Sequence, residues 1–138
     1  MTPQQRAVHD DYRMRVAILV ALMKRRPLTE AEKKSLTILL LLMRRACDAS
    51  QMAKGEPSPV PKLEELERLL DELVVEGGRK AIVFSEWTDM LDLVVGRLKK
   101  RKLGHVYLHG GVPSGKRGGL IERFRDDPTC RVFLSTEA

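Results

Sequence analysis

The sequence predicts an α/β fold, in which an N-terminal helical hairpin precedes an incomplete three-stranded parallel sheet with flanking helices. Two apolar helical segments, each opened by a capping pattern, occupy the first part of the chain. From about residue 80, short β-branched apolar runs alternate with helical segments. The links between them are short, which indicates parallel strands joined by right-handed crossovers.

Capping residues set the limits of the hairpin. Thr2 followed by Pro3 has the form of an N-cap with proline in the first turn, and Pro27 stops this first helix. Thr29 with Glu32 forms a T-x-x-E capping box, which opens the second helix. The apolar runs inside the hairpin are much shorter than the roughly 20 residues of a membrane span. We therefore expect buried helix faces here and no membrane segment.

Three parts follow from these patterns. We assign the hairpin to residues 1–50, a connector rich in proline to residues 51–61, and an α/β part to residues 62–138. The α/β part opens with a helix whose apolar residues recur at i, i+3, i+6 and i+7 on one face, namely Leu63, Leu66, Leu69, Leu70, Leu73 and Val74. Gly77-Gly78 ends this helix.

Three strands follow in the α/β part, and their carboxyl ends carry polar or glycine-rich sequences. In parallel α/β sheets, ligands gather beyond this edge. The sequences at the three ends are Ser85-Glu86-Trp87, His109-Gly110-Gly111 and Ser135-Thr136-Glu137. The edge of the sheet is therefore the first place to search for a site.

Composition gives weaker guidance. Lys and Arg number 25 against 19 Asp and Glu, a net charge of +6, which favours a polyanionic partner and nucleic acid first. The two cysteines, Cys47 and Cys130, have no metal-binding spacing. This usage predicts neither a zinc site nor a disulfide framework, and it suits a reducing, cytoplasmic compartment.

The turn after the second strand matches part of a phosphate-binding loop. Gly110, Gly115 and Lys116 fit the first seven positions of G-x-x-x-x-G-K-[ST], but Arg117 replaces the hydroxyl that would hold magnesium. Three interpretations remain open. The turn holds a nucleotide, it is a plain βα turn, or the N-terminus of the next helix holds a phosphate with help from Ser114 and Lys116, without a metal.

Several ordered motifs resemble the second RecA-like lobe of Swi/Snf-family helicase-like ATPases, the superfamily-two motors that translocate on duplex DNA. Within residues 61–138, "VFSEW" is similar to motif IV, "LHGG" with Arg117 and "IERF" to the helix that follows, and "FLSTEA" to the start of motif V. Residues 1–60 resemble the end of the first lobe and the inter-lobe helices. There, Asp48-Ala49-Ser50 departs from the family's Asn-His-Pro.

The resemblance implies a fragment of an ATP-dependent DNA translocase. The parent motor would use ATP and Mg²⁺, bind duplex DNA by its phosphates, and need a first RecA-like lobe that these residues do not include. ATP lies between the two lobes, so hydrolysis requires groups from both. We expect no catalytic residue, metal or cofactor in this chain alone, and a nucleoid or nuclear location for the parent.

The resemblance also nominates DNA-backbone contacts, each of which has a structural alternative. By motif position, the nominees are Ser85, Gly110, Gly111, Arg117, Ser135 and Thr136, and the helix N-terminus adds Ser114 and Lys116. Ser85 and Thr136 instead cap strands in the plainer interpretation, and Arg117 pairs with Glu122 or Asp126.

Two other functions remain open. The chain acts alone as a basic module that binds nucleic acid or protein, without ATPase activity, or the hairpin serves as a helical adaptor. Neither alternative requires the rest of a motor.

Overall fold

The computed structural model describes residues 1–49 and 60–136. They form two compact units, Met1–Lys62 and Leu63–Ala138. The elements are α1 (Pro3–Met23), α2 (Glu30–Asp48), α3 (Pro61–Leu70, continued by a π-helical segment at Asp71–Glu76), β1 (Ala81–Ser85), α4 (Thr88–Lys100), β2 (Gly104–Leu108), α5 (Ser114–Asp126) and β3 (Cys130–Thr136). All but the last two residues of the expected connector, residues 51–61, lie outside the described residues.

The first unit is the expected helical hairpin, and both capping predictions are confirmed. The Thr2 hydroxyl accepts from the Gln5 amide at 3.1 Å, while the Gln5 side chain accepts from the Thr2 amide at 2.8 Å. Thr29 and Glu32 make the same reciprocal pair at the start of α2. These bonds satisfy amide groups that a helix N-terminus leaves unpaired.

A small core and an ion pair hold the hairpin together. Val8 and Tyr12 of α1 pack with Ala46 of α2. At the turn, Arg26 binds the Glu32 carboxylate through bonds of 2.7 and 2.9 Å. These bonds, followed by the one from the Thr29 amide, lower the pKa of Glu32 to about 2.

The second unit is a three-stranded parallel sheet with helices on both faces, as predicted. The strand order is β1-β3-β2, so β3 is central. Its residues Val132 and Leu134 have no exposed surface. α4 buries Leu91, Val94 and Leu98, and on the other face Phe124 of α5 meets Phe133 edge to face at 5.3 Å.

Helix α3 differs from its prediction. Its last turn widens into the π-helical segment, where the Gly77 amide bonds to the Glu72 carbonyl five residues back. The wider turn alters the facing of Leu73 and Val74, which lie within it, but not that of Leu69, which precedes it. Val74 is buried, whereas Leu69 and Leu73, which the spacing placed on the buried face, are exposed.

The basic end of α4 is tied to α3. The Arg97 guanidinium lies 3.3 Å from the Glu67 carboxylate, and Arg101 binds Asp71. These two cations of the run at residues 97–102 therefore pair within the unit. Across residues 1–49 and 60–136, no helix combines the length and apolar character that a bilayer span requires.

Candidate nucleic-acid interface

The carboxyl ends of the three strands meet at one edge of the sheet. Ser85 of β1 is the register partner of Thr136 of β3, and Leu108 of β2 is the partner of Ser135. Hydrogen-bonded strands lie about 4.8 Å apart, so these positions are direct neighbours. The structure thus brings Ser85, Ser135 and Thr136 together, with the β2–α5 turn beginning beside them. We call this edge the rim.

The three rim hydroxyls differ in burial and in bonding. The Ser85 hydroxyl, half-buried, accepts a hydrogen bond from the Trp87 amide at 3.1 Å. Ser135 is buried, and its hydroxyl donates to the Thr136 carbonyl at 3.2 Å. The Thr136 hydroxyl is also buried, and it has no hydrogen-bond partner within the described part of the chain. Ser85 is therefore the rim hydroxyl that a ligand reaches most directly.

The glycine-rich turn between β2 and α5 is organised by His109. The Val112 amide donates to the His109 carbonyl at 3.0 Å, and the Gly111 amide donates to His109 Nδ1 at 3.2 Å. The ring also lies 4.7 Å from that of Tyr107. A Cβ atom on Gly111 would lie 3.0 Å from this ring, whereas one on Gly110 would meet nothing within 4 Å.

The sequence placed His109 at the end of a strand but did not predict its contact with the turn. The signal was its position two residues before Gly111, since polar side chains at the start of a turn bond to the backbone two residues on. Neither glycine of the turn has a positive φ, since Gly78 is the positive-φ glycine of the described residues. The close ring, and not the backbone angles, favours glycine at position 111.

The N-terminus of α5 faces the same end of the sheet and is electropositive. Pro113 precedes the helix and supplies no side-chain cap, and the first turn contains no acidic residue. Ser114, Gly115 and Lys116 are the first three helical residues, and all three are exposed. The unpaired amide groups of a first turn carry a partial positive charge, to which the Lys116 ammonium adds a full one. An anionic group would be stabilised here.

Arg117 is directed back to the turn. Its Nε donates to the Val112 carbonyl at 3.0 Å, and its Nη2 lies 3.5 Å from the Gly110 carbonyl. The alternative pairing with Asp126 is wrong, because Arg125 holds that carboxylate through two bonds of 2.8 Å. Arg117 is thus engaged with the backbone of the loop that precedes its own helix.

The turn does not fit a magnesium–nucleotide complex. A phosphate loop needs a hydroxyl after its lysine to bind the metal, and here that position holds a guanidinium bonded to the turn itself. No cluster of three or more His, Cys, Asp or Glu side chains suited to a metal ion occurs in residues 1–49 and 60–136. Glu137, the acidic residue at the end of β3, lies outside the described residues. We derive no chemical step through ATP for this chain.

The fold is that of one lobe of a RecA-like protein. The family model "Helicase conserved C-terminal domain" matches residues 61–138, and the chain belongs to this family. Its similarities to curated proteins confirm the resemblance to Swi/Snf-family helicase-like ATPases. The RecA-like assignment is likewise confirmed.

Two curated relatives show the extent of the similarity. "ATP-dependent helicase rhp16" of Schizosaccharomyces pombe is 38% identical over 74 residues, which cover 51% of this chain and 9% of that protein. A SWI/SNF-related regulator of chromatin, subfamily A containing DEAD/H box 1 homolog, of Drosophila melanogaster is 42% identical over 74 residues. That match covers 53% of this chain and again 9% of the relative. The chain matches about a tenth of these relatives.

Solved structures extend the fold similarity to the whole chain. The Sulfolobus solfataricus SWI2/SNF2 ATPase C-terminal domain superposes with a TM-score of 0.78 at 19% identity, covering 99% of this chain and 59% of that one. The ATPase core of the same organism in complex with double-stranded DNA gives 0.77 at 18% identity, covering 99% and 29%. At this level of identity, the likeness establishes the fold.

Proposed function

We propose that this chain supplies the DNA-backbone contacts of the second motor lobe in an ATP-dependent duplex-DNA translocase. The observation that carries the proposal is the rim. Three parallel strands end there, and the uncapped, cationic N-terminus of α5 begins at the same end. Such a surface suits phosphates, because amide groups and a lysine bind the backbone without reading its bases.

The proposal gives different roles to the exposed and the buried rim residues. The exposed or half-buried groups, which bind phosphate oxygens directly, are Ser85, Gly110, Ser114 and Lys116. The Gly111 amide is bonded to the His109 ring, so Gly111 contributes the shape of the turn. Ser135 and Thr136 have buried side chains, so they contribute main-chain groups and the shape of the strand end. Arg117 acts through the turn, to whose carbonyl groups it is bonded.

In this proposal, the chain supplies only the second lobe, and the first lobe of the motor is a separate part. ATP and Mg²⁺ bind between two lobes in such motors, so a first RecA-like lobe is the required partner. The Sulfolobus core with double-stranded DNA has this fold, which supports duplex DNA as the polymer. Several relatives are named for chromatin regulation or DNA repair, in keeping with a location at the chromosome.

Ser114→Asp tests this function without weakening the fold. An aspartate in the first turn stabilises a helix through its dipole, yet it repels a phosphate at the same place. We expect the wild-type chain to bind a labelled duplex of mixed sequence in low salt, measured by fluorescence anisotropy, and to lose affinity as salt rises. Ser114→Asp should lose at least about tenfold in affinity while its melting temperature is maintained.

Ser35→Asp is the matched control, because it makes the same charge change at an exposed position of α2 in the first unit. We expect it to bind nearly as the wild type does. Equal affinities of the two variants would contradict the assignment of the rim. Binding that does not respond to salt would contradict phosphate recognition altogether.

A further inference from the structure

The motif position of Arg117 suggested a direct contact with phosphate, yet its guanidinium bonds to backbone carbonyls of the protein itself. Its two hydrogen bonds go to carbonyl oxygens on either side of Gly111, those of Gly110 and Val112. Both acceptors belong to the loop that leads from β2 into α5. The guanidinium, which belongs to α5, therefore stabilises the loop through these two hydrogen bonds.

The opposite side of the same loop is held by His109. Its ring accepts from the Gly111 amide and its carbonyl accepts from the Val112 amide. His109 thus accepts from the amides of Gly111 and Val112, while Arg117 donates to the carbonyls of Gly110 and Val112. The conformation of Gly110–Val112 is thus defined from both sides by residues of the strand end and the helix.

We propose that Arg117 is a positioning residue, which fixes the Gly110–Val112 loop so that the exposed backbone of the turn and the α5 N-terminus present a fixed surface to phosphate. This inference rests on the proposed DNA-backbone function and assigns Arg117 a role within it. It replaces the direct phosphate contact that motif position suggested. The two bonds come from separate nitrogens of the rigid guanidinium plane, Nε and Nη2, a donor spacing that the single nitrogen of a lysine does not reproduce.

Amide hydrogen exchange tests the loop directly and needs no DNA. Arg117→Lys keeps the charge but loses the fork, so we expect exchange at the Gly111 and Val112 amides to accelerate by about fivefold or more. Lys116→Ala removes a neighbouring charge and should leave both rates unchanged. Unchanged exchange in Arg117→Lys would overturn the proposal.

The salt dependence of DNA binding separates positioning from direct contact. Each phosphate neutralised by a side chain adds about 0.9 to the slope of log K against log salt. We expect Lys116→Ala to reduce the slope by about this amount. Arg117→Lys and Arg117→Ala should both weaken binding about threefold to tenfold, with the wild-type slope retained.

The opposite pattern would identify Arg117 as a phosphate contact. In that case Arg117→Lys would bind as the wild type does, and Arg117→Ala would lose the slope increment. If the wild-type chain binds no duplex at all, the proposed function fails, while the exchange rates still decide whether Arg117 holds the loop. The two failures are therefore distinguishable.

Discussion

The Lys80 ammonium donates a hydrogen bond of 2.8 Å to the backbone carbonyl of Asp127, 47 residues away in sequence. It also bonds to the carbonyls of Phe124 and Arg125 and lies 5.3 Å from the centre of the Phe124 ring. These carbonyls belong to the end of α5, where a helix leaves acceptors unpaired and carries a partial negative charge. Lys80 therefore links the start of β1 to the end of α5 by hydrogen bonds.

Replacing Lys80 should weaken the second unit. Lys80→Met removes the donor while retaining most of the apolar stem, and we expect a loss of about 1 kcal/mol in the free energy of unfolding. Lys100→Met, at an exposed end of α4, is the control and should change it little. Urea denaturation followed by the fluorescence of Trp87, the single tryptophan of the chain, measures both. Equal stabilities of the two variants would show that the bonds from Lys80 to the end of α5 do not stabilise the unit.

Two glycines inside α5 predict an increase in stability on substitution. Gly118 and Gly119 lie within the helix, which begins at Ser114. A Cβ atom at either position would meet nothing within 4 Å. Glycine costs about 1 kcal/mol relative to alanine in a helix interior, so each change to alanine should stabilise the unit by roughly that amount. A drop in melting temperature would show a packing need for these glycines.

The Arg26–Glu32 pair makes the hairpin sensitive to acid. The folded-state pKa of Glu32, about 2, lies below its ordinary value of 4.5. Its contribution is therefore complete above about pH 4.5 and is lost as the pH falls towards 2. We expect Arg26→Met to return the Glu32 pKa towards its ordinary value in a carbon-detected NMR titration.

Arg25→Met is the neighbouring control for this titration and should leave the Glu32 pKa depressed. In thermal melts, Glu32→Gln should be less stable than the wild type at neutral pH, and the difference should vanish in strong acid. A constant difference across the pH range would contradict the linkage.

The free edge of β1 predicts self-association. Ile82 and Phe84 are 57% and 65% exposed on this edge strand, and the strand carries no charge that would oppose pairing with a second chain. We expect Phe84→Lys to reduce concentration-dependent association in sedimentation velocity. Ile121→Lys, at an exposed apolar position of α5, should not. A wild-type chain that stays monomeric at every concentration would contradict this prediction.

Local signals predicted the elements well, because caps and strand runs are local. Thr2, Thr29 and the three apolar runs placed helices and strands where the structure has them. The position of β3 between β1 and β2 depends on contacts distant in sequence, and no local pattern specifies it. The π-helical segment after Leu70 was likewise not specified by any local pattern, so the buried face of α3 was not fully predicted.

The sequence predicted where the candidate site lies, at the carboxyl ends of the strands. It predicted the contacts of the individual side chains less well. The strand ends named Ser85 and Ser135, and parallel pairing brought them to one edge. The charge of Arg117 suggested an outward contact, whereas its bonds to Val112 and Gly110 turn it to the loop. Side-chain direction at an exposed helix start depends on which backbone acceptors lie within reach, and composition does not encode that.

An NMR titration of the labelled chain with a short duplex tests the central claim most directly. We predict that the amide signals of Ser85, Gly111 and Gly115 shift at low salt and return as salt rises, since these amides lie at the rim. Shifts confined to the opposite end of the sheet, around Lys80 and Gly104, or the absence of any shift in low salt, would contradict the claim that the strand ends bind a nucleic-acid backbone.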